Sequence, residues 1–153
     1  MKYLKNKIPP PLVALLFGLL VWQASKLSIS LTITDEWRMG STYTLIALGI
    51  LFNLAAVISF KMAKTTVNPI RPESASSLVK SGIFKLSRNP MYVGMALFLA
   101  AWSAYLASPF SIILIIGFIL YMTHFQIKAE EQALTILFGE EYLLYKQQVR
   151  RWI

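Results

Sequence analysis

The chain has no cysteine, a single histidine and only seven acidic residues among 153, and each shortage removes a class of chemistry. Without cysteine there is no disulfide, no thiolate nucleophile and no cysteine-ligated metal. None of the seven glycines falls in a G-x-G pattern, and strands do not alternate with helices. A Rossmann-type nucleotide site therefore has nowhere to be built. Charge is missing in blocks: no Asp, Glu, Lys or Arg occurs between Lys7 and Lys26, between Arg38 and Lys61, or between Arg88 and Lys128. A proton-coupled exporter needs an ionisable residue inside the bilayer, and these windows hold no acid for one.

What fills the windows is apolar: 56% of the chain is hydrophobic and 14% charged, a composition of the membrane class. A hydrocarbon core takes roughly 20 apolar residues per helix, so the first two windows hold one span each and the 39-residue third holds two. Proline suits a helix's first turn and not its interior, which places the division at Ser108-Pro109. The spacing predicts spans near 9–27, 41–60, 90–107 and 109–127. Lys2, Lys5 and Lys7 ahead of an apolar run also fit a secretory signal, but no clear small-x-small cleavage site follows.

The net charge of +8 points to a membrane rather than to nucleic acid, because of where it sits. Of 15 basic residues, three precede the first span, six lie in 61–88 and four follow the fourth; only Lys26 and Arg38 fall on the other side. The positive-inside rule puts both termini and the middle segment in the cytoplasm. The expected fold is one all-α integral membrane domain over 1–153, with about four transmembrane helices and C-terminal amphipathic helices on the cytoplasmic face.

Segment 61–89 is long for a connection in so small a protein. Asn68-Pro69 and Arg71-Pro72 break any helix there, while Val79, Ile83, Phe84 and Leu86 give it something to bury. It ends in Ser87-Arg88-Asn89-Pro90-Met91-Tyr92-Val93-Gly94. Asparagine before proline is a helix start in its own right, and a helix N-terminus beside Arg88 also attracts anions. Beyond the fourth span come His124, Gln126, Glu130 and Glu131, then Phe138-Gly139-Glu140-Glu141-Tyr142. Ile127, Leu134 and Phe138 recur at helical spacing, Gly139 is placed to end a helix, and Tyr142, Tyr145, Val149 and Trp152 form a second stripe. Two amphipathic helices over 128–152 are expected. A carboxylate near the hydrocarbon boundary is costly unless partnered, which singles out Glu130.

Taken together, Ser76-Ser-Leu-Val-Lys-Ser-Gly-Ile-Phe84, Arg88-Asn-Pro-Met-Tyr92-Val-Gly94, Glu130-Glu131 and Phe138-Gly139-Glu-Glu-Tyr142-x-x-Tyr145 resemble the isoprenylcysteine carboxyl methyltransferase family and its prokaryotic relatives. The likeness covers roughly residues 60–152, and phospholipid methyltransferases share its C-terminal pattern. It implies an enzyme of the cytoplasmic membrane that binds S-adenosylmethionine and methylates a lipophilic or lipid-linked acceptor. The family's cofactor contacts carry over to Ser76, Ser77, Leu78, Val79, Phe84, Asn89, Pro90, Met91, Tyr92 and Glu130, and Arg88 adjoins them. Asn89 stands where the family often has histidine, and Phe84 where it often has tyrosine. Gln126 stands where the isoprenylcysteine enzymes carry an arginine expected to meet the substrate carboxylate, so the likeness reaches the cofactor more firmly than that substrate.

Methyl transfer from a sulfonium needs mainly in-line positioning and exclusion of water, and no metal. An amine acceptor must first lose a proton, which Glu130, Glu131 or His124 could take; Gln126 is the remaining candidate at the reacting centre. Two other readings fit the same spans: an NADPH-dependent reductase of the sterol reductase type, and a non-enzymatic membrane assembly protein. The glycines offer no close small-x-x-x-small pair to favour tight helix dimers.

Overall fold

The computed structural model describes residues 8–27, 32–64 and 77–153, and among them there is no strand. The helices are α1 (Pro10–Leu27), α2 (Asp35–Met62), α3 (Pro90–Tyr105), α4 (Ser111–Tyr121) and α5 (Lys128–Gln148), with a 3-10 turn at Gly82–Lys85 and a π-helical turn at Met122–Ile127. Three helical stretches, α1, α2 and the continuous run Ser111–Gln148, are long and apolar enough to cross a membrane. Helix α3 has 16 residues, about 24 Å at 1.5 Å per residue, and is shorter than the hydrocarbon core.

The boundaries depart from the sequence expectation at four places. Helix α2 begins at Asp35 rather than near 41, because Asp35 and Glu36 in its first turn complement the positive end of the helix dipole. Helix α3 stops at Tyr105 rather than 107, and Ala107 takes a left-handed φ of 49°. Pro109 precedes α4 instead of lying in it: Ile112 and Ile113 N–H donate to the carbonyls of Pro109 and Phe110, a tight opening turn. Finally, the C-terminal helix ends at Gln148, not 152, and Val149 is extended. The expected break at Gly139 is present, with φ 53° and ψ −126° inside α5.

Helix α3 is the centre of the bundle, packed on α1, α2 and α4. Val13, Tyr92, Leu99, Phe118, Met122 and Ile127 form the main core, and Phe17 meets Phe118 edge-on at 5.6 Å. Leu15, Leu19, Ile113, Ile116 and Leu120 are exposed, the inside-out pattern of a protein whose solvent is lipid. The α2–α3 crossing is set by two glycines. A Cβ on Gly94 would stand 2.0 Å from Asn53 Nδ2 and 3.0 Å from the Gly49 carbonyl, and one on Gly49 would strike Phe98 at 2.6 Å. Ala56, Val79 and Phe84 make a second core where residues 77–85 fold over the end of α2, with Phe60 edge-on to Phe84 at 5.1 Å.

Candidate functional site

At one end of the bundle the start of α3 meets the start of α5. Pro90, fully buried, opens α3, and two residues later Tyr92 points into the bundle. Four residues separate Gln126 from Glu130, which brings both onto one face of the rod. Gln126 sits inside the π turn and Glu130 three residues beyond its end, and such turns are frequent at functional sites. Tyr92 Oη donates to Glu130 Oε1 at 2.5 Å, and Gln126 Nε2 donates to the same oxygen at 2.8 Å. Among the described residues nothing bonds Glu130 Oε2 and no Lys or Arg contacts this carboxylate. Burial pushes its pKa up to about 7, against the opposing pull of the Tyr92 and Gln126 hydrogen bonds.

Its neighbour Glu131 has the opposite surroundings. Arg151 Nε and Nη2 each donate to it at 2.8 Å, Arg88 stands at 3.1 Å and Lys146 at 4.0 Å. Burial acts to raise this carboxyl too, but the Arg151 hydrogen bonds and the charges of Arg88, Arg151 and Lys146 outweigh it and hold the pKa below the usual value. The Arg88 and Glu131 side chains are only 7% and 8% exposed. Arg88 therefore works as the partner of Glu131 and not as a free cation beside the helix start.

Asn89 does not cap α3 with its side chain. Its Nδ2 donates instead to the Arg151 carbonyl at 2.9 Å, and its own N–H donates to Ser87 Oγ at 3.0 Å. Residues 77–85 join the same end: Tyr145 Oη donates to the Phe84 carbonyl at 2.6 Å, and Lys80 pairs with Glu141 at 2.6 Å.

The structure thus gathers Arg88, Asn89, Pro90, Tyr92, Gln126 and Glu130 at one end. Val79 and Phe84 turn into the second core with Met91 against it. Ser77 donates to the Ala63 carbonyl at 2.9 Å, and Leu78 is partly buried. Ser76 lies outside the described residues. His124 is exposed on the π turn with its ring edge-on to Phe125, off the Glu130 cluster. Sequence reasoning missed Arg151 and Thr123 and reached Trp152 only as part of a helical stripe. The signal that was available is a pair of arginines and a tryptophan after a helix of acids, but their partners are set by the chain's reversal after Gln148. An open apolar cleft of about 530 Å³ between α2 and α3, lined by Thr42, Tyr43, Phe98, Ala101, Trp102 and Tyr105, lies at the other end of the bundle. Tyr105 is 13 residues from Tyr92, roughly 20 Å along α3.

A family model described as phospholipid methyltransferase matches residues 37–141, which takes in α3, the π turn and Glu130. The chain is 44% identical over 63 residues to an uncharacterized protein of Haemophilus influenzae, covering 41% of this chain and 100% of that one. It is 28% identical over 113 residues to protein-S-isoprenylcysteine O-methyltransferase B of Arabidopsis thaliana, covering 74% of this chain and 57% of the plant protein. Against the protein-S-isoprenylcysteine O-methyltransferase of Saccharomyces cerevisiae it is 32% identical over 79 residues, 52% of this chain and 33% of the yeast protein. The matched region spans little more than half of one named methyltransferase and a third of the other. With the family match running over more than half of its length, the chain belongs to the phospholipid methyltransferase family.

Proposed function

We propose that the chain is an integral membrane methyltransferase that takes its methyl group from S-adenosylmethionine and gives it to a lipophilic or lipid-linked acceptor, at the cytoplasmic face of a prokaryotic inner membrane. The observation that carries this reading is the hydrogen bond that joins Tyr92, three residues after Asn89 at the start of α3, to Glu130, inside the region shared with methyltransferases. Family membership favours it over a reductase or an assembly role.

The residues at this end fit such a donor. Glu130 keeps one carboxylate oxygen open while Tyr92 and Gln126 fix the other. Asn89, held by one amide N–H to the Arg151 carbonyl, has its side-chain oxygen to offer. Both are acceptors, suited to an ammonium or to sugar hydroxyls. When bound, the donor supplies an electrophilic methyl on a sulfonium; the chain's task is to hold it in line with the acceptor and exclude water.

Glu130 is also the group suited to take a proton from an amine acceptor, since a base works best with a pKa near the working pH. Glu131 is committed to its arginines, and His124 is exposed with its ring edge-on to Phe125. With Gln126 in contact with Glu130 and no cation there among the described residues, the cluster favours an acceptor that loses a proton over a carboxylate. Gln126 then holds Glu130 in place.

Calorimetry on detergent-purified protein, titrated separately with S-adenosylmethionine, S-adenosylhomocysteine and NADPH, tests the reading. Saturable binding of the first two alone is the expected result, and binding of NADPH alone overturns it. Glu130→Ala should stay folded and lose donor affinity; wild-type affinity in that variant would remove Glu130 from the site. Labelled methyl transfer into a lipid extract then identifies the acceptor.

A further inference from the structure

Residues 150–152, beyond the end of α5, bond to the start of α3, to α5 and to the π turn at this end of the bundle. Val149 is extended, which turns the chain out of the helix and lays the next three residues across the start of α3. The Arg150 carbonyl accepts the Arg88 N–H at 3.1 Å, and the Arg151 carbonyl accepts Asn89 Nδ2 at 2.9 Å. The Arg151 guanidinium grips both oxygens of Glu131 at 2.8 Å each. Trp152 Nε1 donates to Thr123 Oγ1 at 3.0 Å, and its ring packs on the core that contains Tyr92, Met122 and Ile127.

These contacts fall on two places that the chemistry needs rigid. One is Asn89, whose amide could otherwise turn to cap its own helix, since asparagine is a favoured N-cap. With Nδ2 held by the Arg151 carbonyl, the amide is fixed in orientation and its oxygen is the acceptor it can offer a ligand. The other is the π turn, whose unusual winding fixes where Gln126 and Glu130 point; π turns persist where surrounding contacts hold them. Thr123 has a competing partner, since its hydroxyl donates to the Ile119 carbonyl at 2.7 Å, and the Trp152 bond locks that hydroxyl as donor and acceptor at once.

We infer that 150–152 is a strap that shapes the methyl-donor site, with Arg151 and Trp152 as positioning residues that act through Asn89 and through the π turn. The inference rests on the function proposed above. Neither residue need touch the donor: Arg151 is bound to Glu131 and Trp152 to Thr123.

The test uses the full chain in detergent, with S-adenosylmethionine as the probe and calorimetry as the readout. Trp152→Phe keeps an aromatic ring, smaller than the indole, and loses the hydrogen bond; Thr123→Val removes the same bond from the other side together with the Thr123–Ile119 bond. Arg151→Gln breaks the grip on Glu131, and Arg151→Lys restores part of it. Donor Kd should weaken about two- to tenfold in Trp152→Phe and Thr123→Val, the worth of one hydrogen bond, and the double variant should be no weaker than either alone. Arg151→Gln should lose more, with partial rescue in Arg151→Lys. The exposed Asp35–Arg38 pair at the other end of the bundle supplies a control, and Asp35→Asn should leave Kd unchanged. A strap that only stabilises the fold would lower the melting temperature of these variants and leave Kd at the wild-type value below the melt, and that result overturns the assignment. If the wild type itself fails to bind the donor, the methyltransferase reading falls first and the strap's role falls with it.

Discussion

Glu130 and Glu131 are adjacent in the chain and opposite in character. Burial without a cation holds Glu130 near neutrality, while the guanidinium groups of Arg88 and Arg151 keep Glu131 ionised. Because the folded-state pKa of Glu130 is raised from 4.5 to about 7, this group favours the folded protein when protonated, and its contribution is lost as pH climbs through that interval. Glu130→Gln should therefore melt no lower than wild type at about pH 8, in a thermal-shift measurement. Ligand binding runs the other way with pH. If the donor is held by the carboxylate form, affinity should fall about tenfold from about pH 8 to about pH 6, since protonation changes the ionised fraction by that factor around a pKa of 7. The Glu130→Gln protein should bind weakly at both. A flat wild-type profile would show that the charge on Glu130 does not contribute. Glu131→Gln should be a folding defect of about 3 kcal/mol or more, because it strands buried arginine charge.

The helices themselves were legible from their charge-free windows, since a run without ionisable residues has few other uses. What holds them together was not. Gly49 and Gly94 touch only because α2 and α3 cross there, and nothing in their separate neighbourhoods marks the pair. Gly94→Ala places a methyl against the Asn53 amide and the Gly49 carbonyl, so it should cost about 1–3 kcal/mol as overpacking and lower the melting temperature in detergent. Gly139→Ala has open space around it but a φ of 53°. Its cost should be backbone strain alone, about 1 kcal/mol, with donor binding unaffected. If the two variants melted alike, the crossing would be looser than its geometry states. The strap illustrates why part of the site was hidden. The helical spacing of Tyr142, Tyr145, Val149 and Trp152 continues past the point where the helix ends. Periodicity reported a stripe, whereas Arg88, Asn89 and Glu131 draw residues 150–152 out of it.

Membrane topology can be argued for the whole molecule from a single contact. Arg88 precedes α3 and Glu131 follows α4, yet their side chains stand 3.1 Å apart. The α3–α4 pair is therefore a hairpin with both ends on one side of the bilayer, whether or not the 16 residues of α3 carry it fully across. Helix α2 joins the Glu36 side to the Arg88 side, so Glu36 and Glu140 belong on opposite faces in either case. The hairpin tip at Phe110, 56% exposed, tells a full crossing from a partial one. The chain has no cysteine, so single cysteines can be introduced without removing native thiols. In sealed vesicles, Glu36→Cys and Phe110→Cys should react with an impermeant maleimide from one side and Glu140→Cys from the other. The excess of Lys and Arg beyond the fourth span predicts that the Glu140 side is the cytoplasmic one. Protection of Phe110→Cys from both sides would mean that the hairpin turns back within the bilayer. Glu36 and Glu140 reacting from the same side would contradict the packing of α3 and α5 from which the donor site is built.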